Sequence, residues 1–246
     1  MARLPLVLNL SGLRIAFPSY TEFSEAIGSS KRPGAPAAKL PSMVEDIRRT
    51  AANNDIVVVS LHMDPEFYAY PSLTKRKFCF AAIDNGAHLV LCHHPHVPQG
   101  IELYKKGLIA YSLGNFLFNI DNDYFVRNNA DMVRKSFILK VLLNQHGVYC
   151  ASIIPILIGH DCNVSIMNER QAANFGAYMN IISTELQDNR YYQRWYETGC
   201  SFLKKEVFDA LYKTVRTKNP LDLYGFLRGC RKYWLLDTLS CALKRS

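Results

Sequence analysis

Five of the seven histidines in this chain fall between Asp55 and Phe118, at positions 62, 88, 93, 94 and 96. His62 follows the apolar run Ile56–Leu61, and His93, His94 and His96 follow the run His88–Cys92. Imidazole binds borderline metals well, and a His-x-His pair can place two rings on one ion or on adjacent ions. His94-Pro95-His96 is such a pair, stiffened by the fixed φ of Pro95. Three imidazoles are half of a two-metal hydrolytic centre, which also needs carboxylates and an amide. In isolation the pair reads more readily as surface or hydrogen-bonded histidines; its convergence with His62 favours a site. His88, inside the expected strand, and His146 and His160, in loops, read as ordinary structural residues.

The elements between the clusters supply that convergence. A helical stretch from about Ser72 to Asn85, stopped by Gly86, separates the two apolar runs. Strand, helix and strand with a right-handed crossover make the strands parallel. Both clusters then emerge at the carboxyl ends of neighbouring strands, the rim where open α/β sheets carry ligands. The β-branched run at Ile56–Leu61 suits a strand covered on both faces.

Elsewhere, Leu6–Leu10 and Arg14–Phe17 read as strands joined near Ser11-Gly12, and residues 18–41 as a Pro-, Gly- and Ser-rich loop. Ser42 with Glu45 offers a capping box for a helix reaching about Asn53. Ile101–Tyr104 and Leu108–Leu113 read as strands, and Ser136–Leu143 with Val148–Ile156 as a hairpin. Helical spacing begins near Asn168, with Ala172, Phe175, Met179 and Ile182 on one side; further helices are expected over 189–217 and 221–243.

HMDPEF at 62–67, CHHPHV at 92–97 and YSLGNF at 111–116 resemble three motifs of the bacterial capsule-synthesis CapA family, also called poly-γ-glutamate biosynthesis proteins. Those motifs run His-Trp-Gly-x-Glu-Tyr, Gly-His-His-Pro-His-Val and Tyr-Ser-Leu-Gly-Asn-Phe. The resemblance extends more loosely from Leu8 to Ile158. Met63 and Asp64 replace the family's Trp and Gly, and Cys92 replaces a Gly. The family's early Gly-Asp and Asn-x-Glu motifs are not found, so the chain reads as an amino-terminally truncated member. The resemblance implies an α/β fold, a partial calcineurin-like metallophosphoesterase two-sheet sandwich over 1–165, with a basic helical extension over 166–246. It implies a divalent metal, zinc or manganese, held by His62, His94 and His96. His93 would stabilise charge or protonate a leaving group. Glu66 would hold a water or order a histidine, and Asn115 would donate a hydrogen bond into the cleft.

Composition limits the alternatives. The chain has 246 residues and 49% hydrophobic content, ample for a core. Without an 18-residue apolar run or a cleavable leader, it reads as cytoplasmic or peripheral to a membrane. The seven cysteines show no paired spacing, and Cys79, Cys92 and Cys150 lie in apolar stretches, as small core residues do. Residues 189–246 hold 12 Lys+Arg against 5 Asp+Glu, and 1–188 hold 17 against 16. That tail suits capsule-synthesis partners, an anionic polymer or a membrane surface, or is simply a solvated face. Nucleic acid ranks last as a partner, because no helix-turn-helix, RNP or zinc-finger pattern is present. The competing functions are thus a CapA-type metal-dependent hydrolase and a non-catalytic binding component.

Overall fold

The computed structural model describes residues 3–23, 25–29, 32–118, 130–188 and 191–199, with 212, 215–217 and 220–221 beyond them. Strands β1 (Leu6–Leu10) and β2 (Leu13–Phe17) form a hairpin. It turns at Ser11 and Gly12, both with positive φ, which matches the twist of the flanking strands. Then come β3 (Ser19–Thr21), α1 (Leu40–Ala51), β4 (Ile56–His62), α2 (Leu73–Asp84), β5 (Leu89–His93), β6 (Ile101–Tyr104) and β7 (Gly107–Ala110). They build a seven-stranded sheet in the order β1-β2-β4-β5-β7-β6, with β3 beside β4. The central strands β2, β4, β5 and β7 are parallel. After α3 (Ala130–Val133), β8 (Lys135–Asn144), β9 (Gly147–Ile158) and β10 (Val164–Ile166) form a second, antiparallel sheet. Helix α4 (Glu169–Glu185) follows, and residues 191–199 are helical. The chain is thus α/β, with a mixed sheet, a second sheet and helices.

Alternation along β4 sets the layers. Val57, Val59 and Leu61 face a core shared with Met43 and Ile47 of α1, Cys79, Ala82 and Ile83 of α2, and Phe175, Met179 and Ile182 of α4. Ile56 and Val58 face the opposite way, toward Leu139, Val141 and Leu143 of β8 and Val148 of β9. A strand buried on both faces calls for a near-continuous apolar run, as Ile56–Val59 and Leu61 supply, with Ser60 the one polar residue among them. Each such side chain contributes about 1.5–3 kcal/mol on burial. Tyr191 and Trp195 are fully buried in the helix-side core, so the residues after α4 are packed onto the sheet there. Of the helices expected beyond residue 199, residues 212, 215–217 and 221 are helical, and the rest lies outside the described residues.

Helix α2 begins and ends where its punctuation dictates. The Ser72 hydroxyl accepts the Lys75 N–H at 3.0 Å, the bond of an N-cap. Gly86 adopts φ 107° just past the end, where a Cβ would also lie 2.7 Å from the Ala51 Cβ. Helix α1 departs from expectation. Its N-cap is Lys39, without a side-chain cap; Pro41 sits in the first turn, and the Ser42 hydroxyl donates to the Lys39 carbonyl instead of capping with Glu45. Pro pre-sets helical φ and lacks an N–H that would need a partner, so it starts the helix earlier. The loop expected over 18–41 contains β3, paired in parallel with Ser60–His62. The strand expected to reach Leu113 ends at Ala110. Cys79 and Cys92 are buried, their sulfurs 3.5 Å apart, but Cys150 is exposed because β9 turns it outward. Among the described residues no helix is long and apolar enough to cross a membrane.

Candidate metal centre

The parallel register of β4 and β5 sets His62 directly opposite His93 at the carboxyl end of both strands. The chain then leaves each strand by a short loop, and the two loops are stitched together. The Met63 N–H donates to the His93 carbonyl at 3.2 Å, and the Phe67 N–H donates to the Pro95 carbonyl at 2.8 Å. This seam carries Glu66 to His94. Their nearest nitrogen and oxygen are 3.8 Å apart. Ligating atoms of Glu66, His94 and His96 all lie within 4.8 Å of one another. The His62 ring centroid is 5.0 Å from that of His94, and the His94 and His96 centroids are 5.9 Å apart. The three histidines expected to converge are therefore neighbours at this rim, but the donor atoms that lie within reach of one ion belong to Glu66, His94 and His96, and His62 stands beside them.

The loops are held in unusual conformations. Asp64, Phe67, His94 and His96 all have positive φ although none is glycine. Each such residue costs on the order of 1 kcal/mol, and this kind of strain gathers at functional sites. His96 is fixed further by Asn115. The Asn115 amide donates to the carbonyls of His96 at 3.3 Å and Val133 at 3.1 Å. Its Oδ1 is thereby turned toward the His96 Nδ1, 2.8 Å away. An amide oxygen can only accept, so Nδ1 carries the hydrogen, and the Nε2 lone pair is left to face a ligand. Metal-bound histidines use this kind of support to fix ring and tautomer.

His93 reaches the rim from β5, and burial, reinforced by His62 and Lys75, lowers its pKa to about 4. Burial likewise lowers His62, with His96 and Lys75 adding to the effect. Both rings are neutral at pH 7 and keep lone pairs for a metal or a proton. His88 accepts the Val57 N–H at 3.1 Å, and His146 and His160 are exposed in turns, as expected of structural residues.

Three participants are not legible in the sequence. Phe23, after β3, packs its ring against His94 and His62 at centroid distances of 4.0 and 5.3 Å. Asp64 and Lys75 form a fully buried ion pair at 3.5 Å under the loops. Lys75 also donates to Gln99 at 2.9 Å, and the Asp64 carboxylate accepts the Ser72 N–H at 3.0 Å. Burial pushes the Asp64 carboxyl up to about 6, against the lowering effect of Lys75. The one signal is Asp64 itself, a charged residue where the resembling motif has glycine.

The sequence of this rim has relatives. Residues 1–120 match the family described as bacterial capsule synthesis protein PGA_cap. The capsule biosynthesis protein CapA of Bacillus anthracis is 29% identical over 156 residues, which are 61% of this chain and 36% of that protein. The PGA biosynthesis protein CapA of Bacillus subtilis (strain 168) is 35% identical over 150 residues, 60% of this chain and 37% of that protein. Over this stretch the chain is similar to the CapA family. It spans a little over a third of the length of these CapA relatives. The PGA_cap domain is metallophosphoesterase-like, as the two packed sheets and the histidine rim lead one to expect, and that likeness suggests a divalent metal. The donor set fits that chemistry. A carboxylate and two imidazoles within one ion's reach, one ring already oriented by an amide, suit a divalent cation.

Proposed function

We propose that this chain acts in capsule or poly-γ-glutamate biosynthesis as a CapA-type metal-dependent hydrolase. Glu66, His94 and His96 hold the ion, with His62 beside them at the same rim. The observation that carries the reading is the grouping of these three donors within 4.8 Å on stitched, strained loops. Two nitrogens and one oxygen favour zinc over magnesium or manganese, which prefer all-oxygen sets. A bound ion would polarise a phosphoryl oxygen and lower the pKa of a bound water. His93, kept neutral by burial, donates a hydrogen bond to charge developing on the substrate rather than acting as a cation. Asn115 orients His96 and so positions a ligand without touching the reacting atoms.

Calorimetric titration with zinc and manganese tests this, on the unsubstituted chain and on Glu66→Gln and His96→Ala. Expected are one zinc per chain, weaker manganese, and at least tenfold weaker zinc in each variant. Hydrolysis of bis(p-nitrophenyl) phosphate by the zinc-loaded chain tests the chemistry. Zinc binding that ignores both substitutions would overturn the reading.

A second, non-catalytic role rests on charge. The surplus of 12 Lys+Arg over 5 Asp+Glu after residue 188 suits attachment to an anionic polymer or membrane surface. Because Tyr191 and Trp195 are core residues, cutting the chain at residue 188 would test folding instead of attachment. Reversing Lys204, Lys205, Lys213 and Lys218 to Glu leaves those two core residues in place and is the better probe. Co-sedimentation with anionic vesicles, and binding to polyglutamate or DNA, should weaken steeply with salt and with that reversal.

A further inference from the structure

We propose that the cleft between the two sheets binds the alkyl chain of an anionic amphiphile whose head group sits at His93, beside Asn115. This rests on reading those two residues as part of the site, and it names a substrate class for it. The cleft has a volume of about 630 Å³, within the range of small-molecule sites. Its walls include Val58, Leu89 and Leu91 of the large sheet and Leu139, Val141 and Leu143 of the small one. Leu89, Leu91 and His93 alternate along one face of β5, so that wall becomes polar only at the strand's carboxyl end. Asn115 lines the cleft beside it. Ser136 also lines the cleft, but its hydroxyl is already donated to the Leu113 carbonyl at 2.6 Å.

This division of polarity selects the occupant. A polypeptide threaded between the sheets would bring an N–H and a C=O with every residue and find aliphatic walls facing most of them, which is strongly unfavourable. An alkyl chain brings no such groups, and apolar cavities bind apolar ligands readily. The head group is anionic because His93 offers a ring N–H at the end of the apolar wall and, in the proposed site, a cation lies at the same rim; the Asn115 amide is already donated to the carbonyls of His96 and Val133.

Octyl phosphate, dodecyl phosphate and inorganic phosphate, titrated into the whole chain below their aggregation limits, test the inference. The titrations are run in chelator, so a failure of alkyl binding stays separate from a failure of zinc binding. Each buried methylene contributes roughly fourfold in affinity, so the dodecyl compound should bind at least about tenfold more tightly than the octyl one. Inorganic phosphate should bind more weakly than either. Leu91→Glu, placing a charge mid-cleft, should abolish the preference for chain length while leaving zinc binding intact. If that variant does not fold, the chain-length series on the unsubstituted protein still decides. Equal affinity for octyl and dodecyl phosphate overturns the proposal. So does dodecyl binding unchanged in folded Leu91→Glu, or a dimer by light scattering that dodecyl phosphate cannot dissociate, because a second copy would then fill the cleft.

Discussion

Replacing Asn115 with alanine tests how the rim is organised. Asn115 is 7% exposed and makes three contacts: two donations to carbonyls, at 3.3 and 3.1 Å, and one acceptance from His96 at 2.8 Å. A neutral hydrogen bond contributes about 0.5–1.5 kcal/mol net. The longest contact counts least, so the loss of stability should be about 2–3 kcal/mol. The metal site should suffer separately. With its Nδ1 partner gone, the His96 ring is free to rotate and to change tautomer, and such outer partners are worth roughly 10–100-fold in metal affinity. Asn115→Asp separates the two effects. It keeps an acceptor for Nδ1–H and so retains zinc affinity, but it turns an anion on two carbonyls and so loses stability. Urea unfolding gives the first quantity and a zinc-indicator competition the second, with nitrogen-15 imidazole shifts reporting the tautomer. If folded Asn115→Ala binds zinc within twofold of the parent, either His96 is not a ligand or Asn115 does not orient it.

Three further outcomes are expected. Between pH 6.5 and about 4 the unfolded chain protonates His93 while the folded chain resists, so stability should fall on acidification; His62 and His88 act alike, and Asp64, raised to about 6, acts oppositely. From pH 7 to 5, His93→Gln should therefore lose about 1–2 kcal/mol less than the parent in denaturant titrations, and parallel curves would refute this. Lys75→Met strands the Asp64 carboxyl among buried groups and should cost about 3–5 kcal/mol, most of it recovered in Asp64→Asn/Lys75→Met. Cys79 and Cys92 should react with a thiol reagent only on unfolding, because burial withholds both and pushes the Cys79 thiol up, whereas Cys150 reacts at once.

The β4–α2–β5 unit is legible because its signals are local and agree: a strand opened by four β-branched residues, a serine N-cap, a glycine stop. From them the crossover rule alone brings His62 to His93. Strand β3 is not legible, since Ser19–Thr21 is three residues in Pro- and Gly-rich surroundings and gains its partner from β4, beyond the whole of α1. Capping chemistry misleads at Ser42 because Pro41 competes for the same turn and wins. Glu66 stands out in its motif, but its partnership with His94 and His96 depends on positive φ at Asp64 and Phe67, which no residue type there announces. The Asp64–Lys75 pair joins a loop to the first turn of a helix, a tertiary contact without a periodic signature.

The register that opposes His62 to His93 frees the residues between them from any fixed count. A crossover can gain or lose residues in its loops, or a whole helical turn, and still return the second strand to the same rung. A slip of one rung on either strand is different, because it turns every side chain to the other face. Among CapA proteins, length variation between the two histidine loops should therefore collect in the segment around α2. Within the strands themselves, insertions and deletions should be absent unless they come in pairs.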